Sequence, residues 1–222
     1  MKPLLITIDG PAGAGKTTVS KALARRLGYR YVDTGALYRG VALAAKEQGV
    51  APDDDAGLER LCRGLRLRFV VNEDGSRLFD GDRDISGLIR TSEISMLASA
   101  VSARPVVRKF LLDLQRRLGE EKNAVFEGRD MGTVVFPEAE VKFFLDASVE
   151  ERARRRYDER SADETRTLEQ ITEEIRTRDH NDRTRCHAPL KPASDAILLD
   201  STAISIDQVV QSMLSHIQQV DF

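Results

Sequence analysis

Apolar residues along the chain alternate between short runs of strand length and longer stripes at helical spacing. Residues 4–8 form such a run and stop at Asp9-Gly10-Pro11, which predicts a buried strand entering a turn. Val19, Ala22, Leu23 and Leu27 then recur at helical spacing, and Gly28 is placed to end that helix. A second strand is predicted at 29–32 and a second helix at 36–48, closed by Gly49. Further strands are predicted at 124–126, 141–145 and 196–199. All five runs are short and apolar without alternation, as expected of a parallel sheet covered by helices on both faces. Three later helices are announced by capping boxes at Ser148 (SVEE), Thr167 (TLEQ) and Ser205 (SIDQ), in which side chain and backbone satisfy each other's orphan donors. The last of them carries Ile206, Val209, Val210, Met213, Leu214 and Ile217 on one stripe, a core-packing pattern.

Two segments break the alternation of strand and helix. Across 63–90, LRLRFVV alternates briefly, an EDG turn follows and RLFDGDRDI returns, which predicts an inserted antiparallel hairpin within an insert taken as 63–100. Across 152–185, ten Arg are interleaved with nine Asp or Glu, a mixture unlike a nucleic-acid-binding tail. The chain's 222 residues suit one α/β domain carrying such insertions. With 34 Lys and Arg against 36 Asp and Glu, it has no long-range positive field for nucleic acid or an anionic membrane, so an anion must be bound locally. Cys62 and Cys186 lie far apart without CxxC spacing, which suggests neither a disulfide framework nor a zinc site. No apolar run reaches spanning length, and the leading LLITI is too short for a signal peptide, so a reducing cytoplasm is the expected location.

The turn after the first strand carries chemistry. GPAGAGKT, formed by Gly10, Pro11, Ala12, Gly13, Ala14, Gly15, Lys16 and Thr17 and followed by Thr18, matches Gly-x-x-x-x-Gly-Lys-Ser/Thr between a predicted strand and a predicted helix. Glycines let the backbone curl until several N–H groups converge on phosphate oxygens, reinforced by the positive end of the helix dipole. Lys16 is placed to reach the β- and γ-phosphates and the Thr17 hydroxyl to ligate Mg²⁺, so ATP or GTP binding is expected. No Asn-Lys-x-Asp follows a later strand, which argues against a GTPase switch. YVDTGALYR sets Asp33, Thr34, Tyr38 and Arg39, and FEGRDMGTVV sets Glu127, Arg129 and Asp130, near the carboxyl edge of the sheet, where ligands bind in such folds. The two clusters imply an acceptor site, although Asp33 and Thr34 also suit a plain helix cap.

These motifs together resemble the bacterial cytidylate kinase family over nearly the whole chain. ITIDGPAGAGKTT, DTGALYR, ISGLIRTSEIS, ARPVVR, EGRDMGTVVFPEAEVKFFLDAS, EERARRR, RDHNDRTR and APLKPASDAILLDST fall in that family's order. The resemblance implies a three-layer P-loop fold with a five-stranded parallel sheet, an antiparallel insert acting as a flap over the acceptor, and a short arginine-rich lid at 154–180. It implies Mg²⁺-dependent phosphoryl transfer from ATP to CMP or dCMP by a cytoplasmic monomer that engages neither nucleic acid nor membrane. By the same resemblance, Arg39 and Arg129 hold the acceptor phosphate, Ser99, Arg108 and Asp130 read cytosine, and Arg178 and Asp182 meet the ribose with Arg185 close by. Thr34 and Tyr38 complete the substrate set, and Thr17 and Glu127 hold the metal. Lys16, Arg129 and Arg155 are the candidates for neutralising charge during transfer. Which of Arg154, Arg155 and Arg156 faces inward is open.

The chemistry agrees with these assignments. Cytosine offers an amine that wants a carboxylate or hydroxyl beside acceptors that want a cation, which Asp130 or Ser99 and Arg108 supply. Arg178, Asp182 and Arg185, at i, i+4 and i+7, are predicted on one helix face. An acceptor phosphate is already anionic at neutral pH, so no dedicated general base is needed, and His180, His187 and His216 form no such set. The rival readings are a kinase for another acceptor, such as UMP or shikimate, and an RNA-binding or switch module.

Overall fold

The computed structural model describes residues 2–72, 75–159 and 165–220. The turn expected at 73–74 and the stretch 160–164 of the expected lid lie outside them. All five strands foreseen from the apolar runs form, as β1 (Leu5–Asp9), β2 (Arg30–Asp33), β6 (Ala124–Gly128), β7 (Val141–Asp146) and β8 (Ile197–Asp200). Each runs slightly further toward its carboxyl end than its apolar run, because four of them finish on an aspartate that hydrophobicity alone leaves out: Asp9, Asp33, Asp146 and Asp200. They make one sheet in the order β2-β6-β1-β7-β8, with β1 paired in parallel to both β6 and β7, and β7 in parallel to β8. Every residue of the central β1 and of β6 is buried, which accounts for the missing alternation.

The chain divides into two compact units, Met1–Tyr31 with Glu121–Phe222, and Val32–Glu120. The first holds most of the parallel sheet with α1 (Lys16–Leu27), α6 (Val149–Asp158), α7 (Leu168–Thr184) and α8 (Ile206–Val220). Its core joins Ile6, Ile8 and Phe143 of the sheet to Val19 and Leu23 of α1 and to Val209, Val210, Met213 and Ile217 of α8. Each such aliphatic side chain taken from water contributes ~1.5–3 kcal/mol before entropy is subtracted. The expected stripe on α8 starts one turn late: Ile206 is 47% exposed, and the buried series begins at Val209.

The second unit contains α2 (Thr34–Glu47), α3 (Asp55–Gly64), β3 (Leu67–Asn72), β4 (Gly75–Asp80), β5 (Arg83–Asp84), α4 (Ser92–Ser102) and α5 (Pro105–Gly119). The expected hairpin is here, as β3 and β4 paired antiparallel and extended by the short β5. Leu67 and Leu78 of this small sheet, and Ile85 just beyond it, share one core with Leu37 and Val41 of α2. The helices on either side of the hairpin were not foreseen. Asp54 caps α3, accepting from the Gly57 N–H at 2.9 Å, and Pro105 opens α5 at a position where its missing N–H removes no helical bond.

Two capping boxes form with both arms. Thr167 and Gln170 exchange bonds at the start of α7, and Ser205 and Gln208 do so before α8. The third is half formed. Ser148 accepts from the Glu151 N–H at 3.2 Å, but the Glu151 carboxylate turns to Arg154 and Arg155, whose charge outcompetes a neutral backbone donor.

Candidate active site

The phosphate loop occupies the bend between β1 and α1. At Gly10 φ is +149°, and a Cβ there would stand 1.9 Å from the carbonyl oxygen of Leu145 on β7, so only glycine lets the chain leave the sheet at this point. Gly15 is the N-cap of α1 and no side chain caps the helix, which leaves its leading N–H groups, those of Lys16, Thr17 and Thr18, facing the loop. Such an end binds anions. The Lys16 ammonium is buried and donates to the carbonyl of Pro11 at 2.6 Å, which ties the side chain across its own loop. Burial, then the charge of Arg129, push its pKa well below the ordinary lysine value; Glu127 opposes them and Arg178 adds to the depression.

The parallel register places Glu127 of β6 beside Ile8 of β1, at the edge from which the loop springs. There Glu127 Oε1 accepts from the Thr17 hydroxyl at 2.9 Å. Two hard oxygen donors in contact beside a phosphate cradle suit Mg²⁺, which takes one or two protein oxygens and completes its shell with phosphate oxygens and water. The described residues contain no group of three or more His, Cys, Asp or Glu that could cage a metal by themselves.

Beyond β6 the chain makes a single π-helical turn (Met131–Val135), and Arg129 and Asp130 sit between the two. Arg129 Nε donates to Asp182 Oδ2 at 2.9 Å, and the Arg185 guanidinium stands 3.5 Å from Asp130 Oδ1. Burial works to raise the Asp182 pKa, but Arg129 and Arg178 together outweigh it and hold the carboxyl below its usual range. Arg178, Asp182 and Arg185 therefore share one neighbourhood, and Arg185 N–H still closes a helical bond to the Asn181 carbonyl. α7 ends at Thr184, and Arg185 is its C-cap in extended geometry, drawn back by a bond from its Nε to the Ala188 carbonyl at 2.7 Å.

Arg154 is exposed and held by Glu151, whereas the half-buried Arg155 reaches both the Ser201 hydroxyl and the Ser201 carbonyl and lies 3.7 Å from where a Cβ on Gly15 would be. Three residues that support this ground were not foreseen. Asp9 is buried and accepts from the N–H groups of Met131 and Gly132, both at 2.8 Å. Arg152 is almost fully buried and bonds the phosphate-loop carbonyl of Ala12. The Ser201 hydroxyl lies between the carbonyls of Ala14 and Asp146, 3.2 and 3.1 Å away, and shares its one proton between them. A charge directly after an apolar run and before the glycine loop, as Asp9 is, was the available signal; nothing in the arginine-rich run distinguishes Arg152 from its neighbours.

In the 32–120 unit, Asp33 caps α2 through Ala36 N–H at 3.0 Å and holds Arg39 by its other oxygen at 2.7 Å. The cap and the arginine anchor are thus one residue. Thr34 is buried in the first turn of the same helix. The Arg108 guanidinium lies over the Tyr38 ring, 5.8 Å from its centroid, and donates to the carbonyl of Ser102, while the Ser102 hydroxyl donates to the carbonyl of Ser99. Tyr38, Ser99 and Arg108 are thereby gathered from α2, α4 and α5.

Residues 6–219 match the family model described as cytidylate kinase. The cytidylate kinase of Citrifermentans bemidjiense is 50% identical over 217 residues, covering 97% of this chain and 93% of that protein. That of Geobacter sp. strain M21 is 52% identical over 211 residues, covering 95% and 91%. Among solved structures, a shikimate kinase from Bacteroides thetaiotaomicron aligns over 97% of this chain and 98% of its own with a TM-score of 0.51 at 14% identity, a likeness of fold alone.

Proposed function

The chain belongs to the cytidylate kinase family, and from that premise we infer that it transfers the γ-phosphoryl group of ATP to CMP or dCMP. A phosphate oxygen of the acceptor bonds to the γ-phosphorus, the bond from that phosphorus to the β,γ-bridging oxygen breaks, and ADP leaves with the electron pair. CDP or dCDP is the other product. Because the nucleophile is anionic at neutral pH, the protein's task is alignment and charge neutralisation. Full-length identity to cytidylate kinases at about half of all positions is the observation that carries this reading.

The residue roles are our proposal, supported by the contacts above. Gly10 to Thr18 cradle the triphosphate with backbone N–H groups, and Lys16 meets its terminal oxygens. Thr17 and Glu127 would hold Mg²⁺, which would supply neutralisation of phosphate charge. Arg39 and Arg129 take the acceptor phosphate, and Arg129 and Arg155 screen the charge in transit. Ser99, Arg108 and Asp130 read the cytosine, Thr34 and Tyr38 belong to the same acceptor site, and Arg178 and Asp182 meet the ribose with Arg185 close by. The insert at 63–100 and the lid at 154–180 close over the substrates and exclude water. The protein acts as a monomer in the cytoplasm, without nucleic acid or membrane. Its balanced charge and its free thiols at Cys62 and Cys186 suit that setting, and no helix among the described residues is long and apolar enough to cross a membrane.

A coupled assay of ADP formation over CMP, dCMP, UMP and shikimate tests the reading. CMP and dCMP should be turned over and the others poorly, whereas UMP preferred to CMP would end the cytidylate assignment.

A further inference from the structure

We propose that Arg152 is a positioning residue for phosphoryl transfer, locking the backbone of the phosphate loop to α7 so that the loop and the polar residues on that helix keep a fixed register. The inference rests on the reading of Arg129, Arg178 and Asp182 as substrate residues.

Arg152 lies in the first turn of α6 and is only 1% exposed. Its guanidinium makes three bonds in three directions. Nε donates to the Ala147 carbonyl at 2.8 Å, one terminal nitrogen to the Ala12 carbonyl at 3.0 Å, and the other to Asp179 Oδ2 at 2.6 Å. Contact with the loop is also steric, since a Cβ on Gly13 would lie 3.0 Å from the Arg152 Cβ and 3.2 Å from its carbonyl oxygen. Asp179 is 5% exposed, and its second oxygen has no hydrogen-bond donor among the described residues, so its carboxylate is committed to Arg152. On α7, Asp179 directly follows Arg178 and precedes Asp182 by less than one turn, and Asp182 in turn accepts from Arg129. A continuous path of bonds thus runs from the loop at Ala12, through Arg152 and Asp179, along α7 to Asp182 and Arg129.

A buried ion pair is a poor device for stability, because apolar residues of similar volume usually serve as well or better. What a planar guanidinium with donors fixed at set angles supplies is geometry. The geometry fixed here is that of a phosphate-gripping loop relative to a helix carrying an arginine and an aspartate of the adjoining polar cluster.

The test compares Arg152→Lys, Asp179→Asn and the double variant in the full chain, with active sites counted by equilibrium titration with ATP. Lysine keeps the charge without the fork, and asparagine is isosteric with the native side chain, so at least one single variant should fold. We expect kcat per ATP-binding site to fall about tenfold or more in each, KM for ATP and CMP to stay within about threefold, and the double variant to be little worse than either single. Unchanged kcat per site, with loss only of thermal midpoint or of the fraction able to bind ATP, would overturn the proposal. Additive losses in the double variant would overturn it too. Lys16→Ala and Arg129→Met in the same assay separate this from the site reading. If they collapse turnover while the Arg152 and Asp179 variants do not, the positioning role alone fails; if they leave turnover near normal, the site reading fails with it.

Discussion

Asp9 carries a charge in an unfavourable place. Burial pushes its pKa up from 3.8 to about 6, against the pull of the Met131 and Gly132 N–H groups and of Lys16, with Asp130 adding to the rise. Between about pH 4 and 6 the folded protein therefore holds a proton there that the unfolded chain has already lost, so the contribution of Asp9 to stability falls across that window and is level above it. Two pH units correspond to about 3 kcal/mol. Asp182 acts in the opposite sense: its depressed pKa gives stability that is present above its ordinary value and lost as the medium is acidified below it. The Asp9 carboxyl resonance, followed by NMR, should titrate with a midpoint about 6, and Asp9→Asn should remove the fall in unfolding midpoint that Asp9 contributes between pH 4 and 6. A midpoint near that of an exposed aspartate would show that the two backbone bonds outweigh burial. A second residue-scale prediction concerns base reading. If Arg108 donates to cytosine, Arg108→Met should weaken transition-state binding by ~1.5–3 kcal/mol per charged hydrogen bond with CMP, and by less with UMP. Steady-state kcat/KM for both acceptors decides it, and equal losses would remove Arg108 from base recognition.

Elements are held at the site by constraints that differ in how plainly the chain announces them. β1, β6 and β7 were legible as apolar runs because burial on both faces leaves no alternation, and their parallel register then brings Glu127 beside the phosphate loop. Their aspartate ends were not legible, since hydrophobicity stops counting where function starts. Nor were α3, α4 and α5. The acidic run at 53–55 has the composition of a loop until Asp54 is seen capping α3, and α4 mixes small polar residues into its apolar stripe. The helix carrying Arg178 and Asp182 was legible to its end, but the chain's turn after Arg185, where Ala188 has a φ of +51°, was not. Gly10 tests the element scale most sharply. Gly10→Ala would drive a methyl group into the Leu145 carbonyl, so β1 and β7 must part at the carboxyl edge. We expect a cost of ~3 kcal/mol or more, seen as a lowered thermal midpoint together with loss of ATP binding. A variant that melts and binds like the native protein would mean that the loop leaves the sheet by another path.

Across the whole molecule, many of the arginines are paired with carboxylates among the described residues. Arg129 is bound to Asp182, Arg152 to Asp179, Arg154 and Arg155 to Glu151, Arg104 to Asp55 and Arg83 to Glu47. The almost fully buried Arg152 cannot leave Asp179 for a nucleic-acid backbone without stranding a charge, whereas the exposed pairs add little local field. That balance was legible in composition, where 34 basic residues face 36 acidic ones. The pairing of particular residues was not, because it depends on which helices the fold brings side by side. A kinase of this design should respond to salt only through its small anionic substrates. Titrating the protein with single-stranded RNA at low and at physiological ionic strength should give no complex whose affinity falls steeply with salt, while ADP continues to form from ATP and CMP. A log–log slope equivalent to several released counterions, with no ADP formed, would instead assign the arginines to a nucleic-acid backbone.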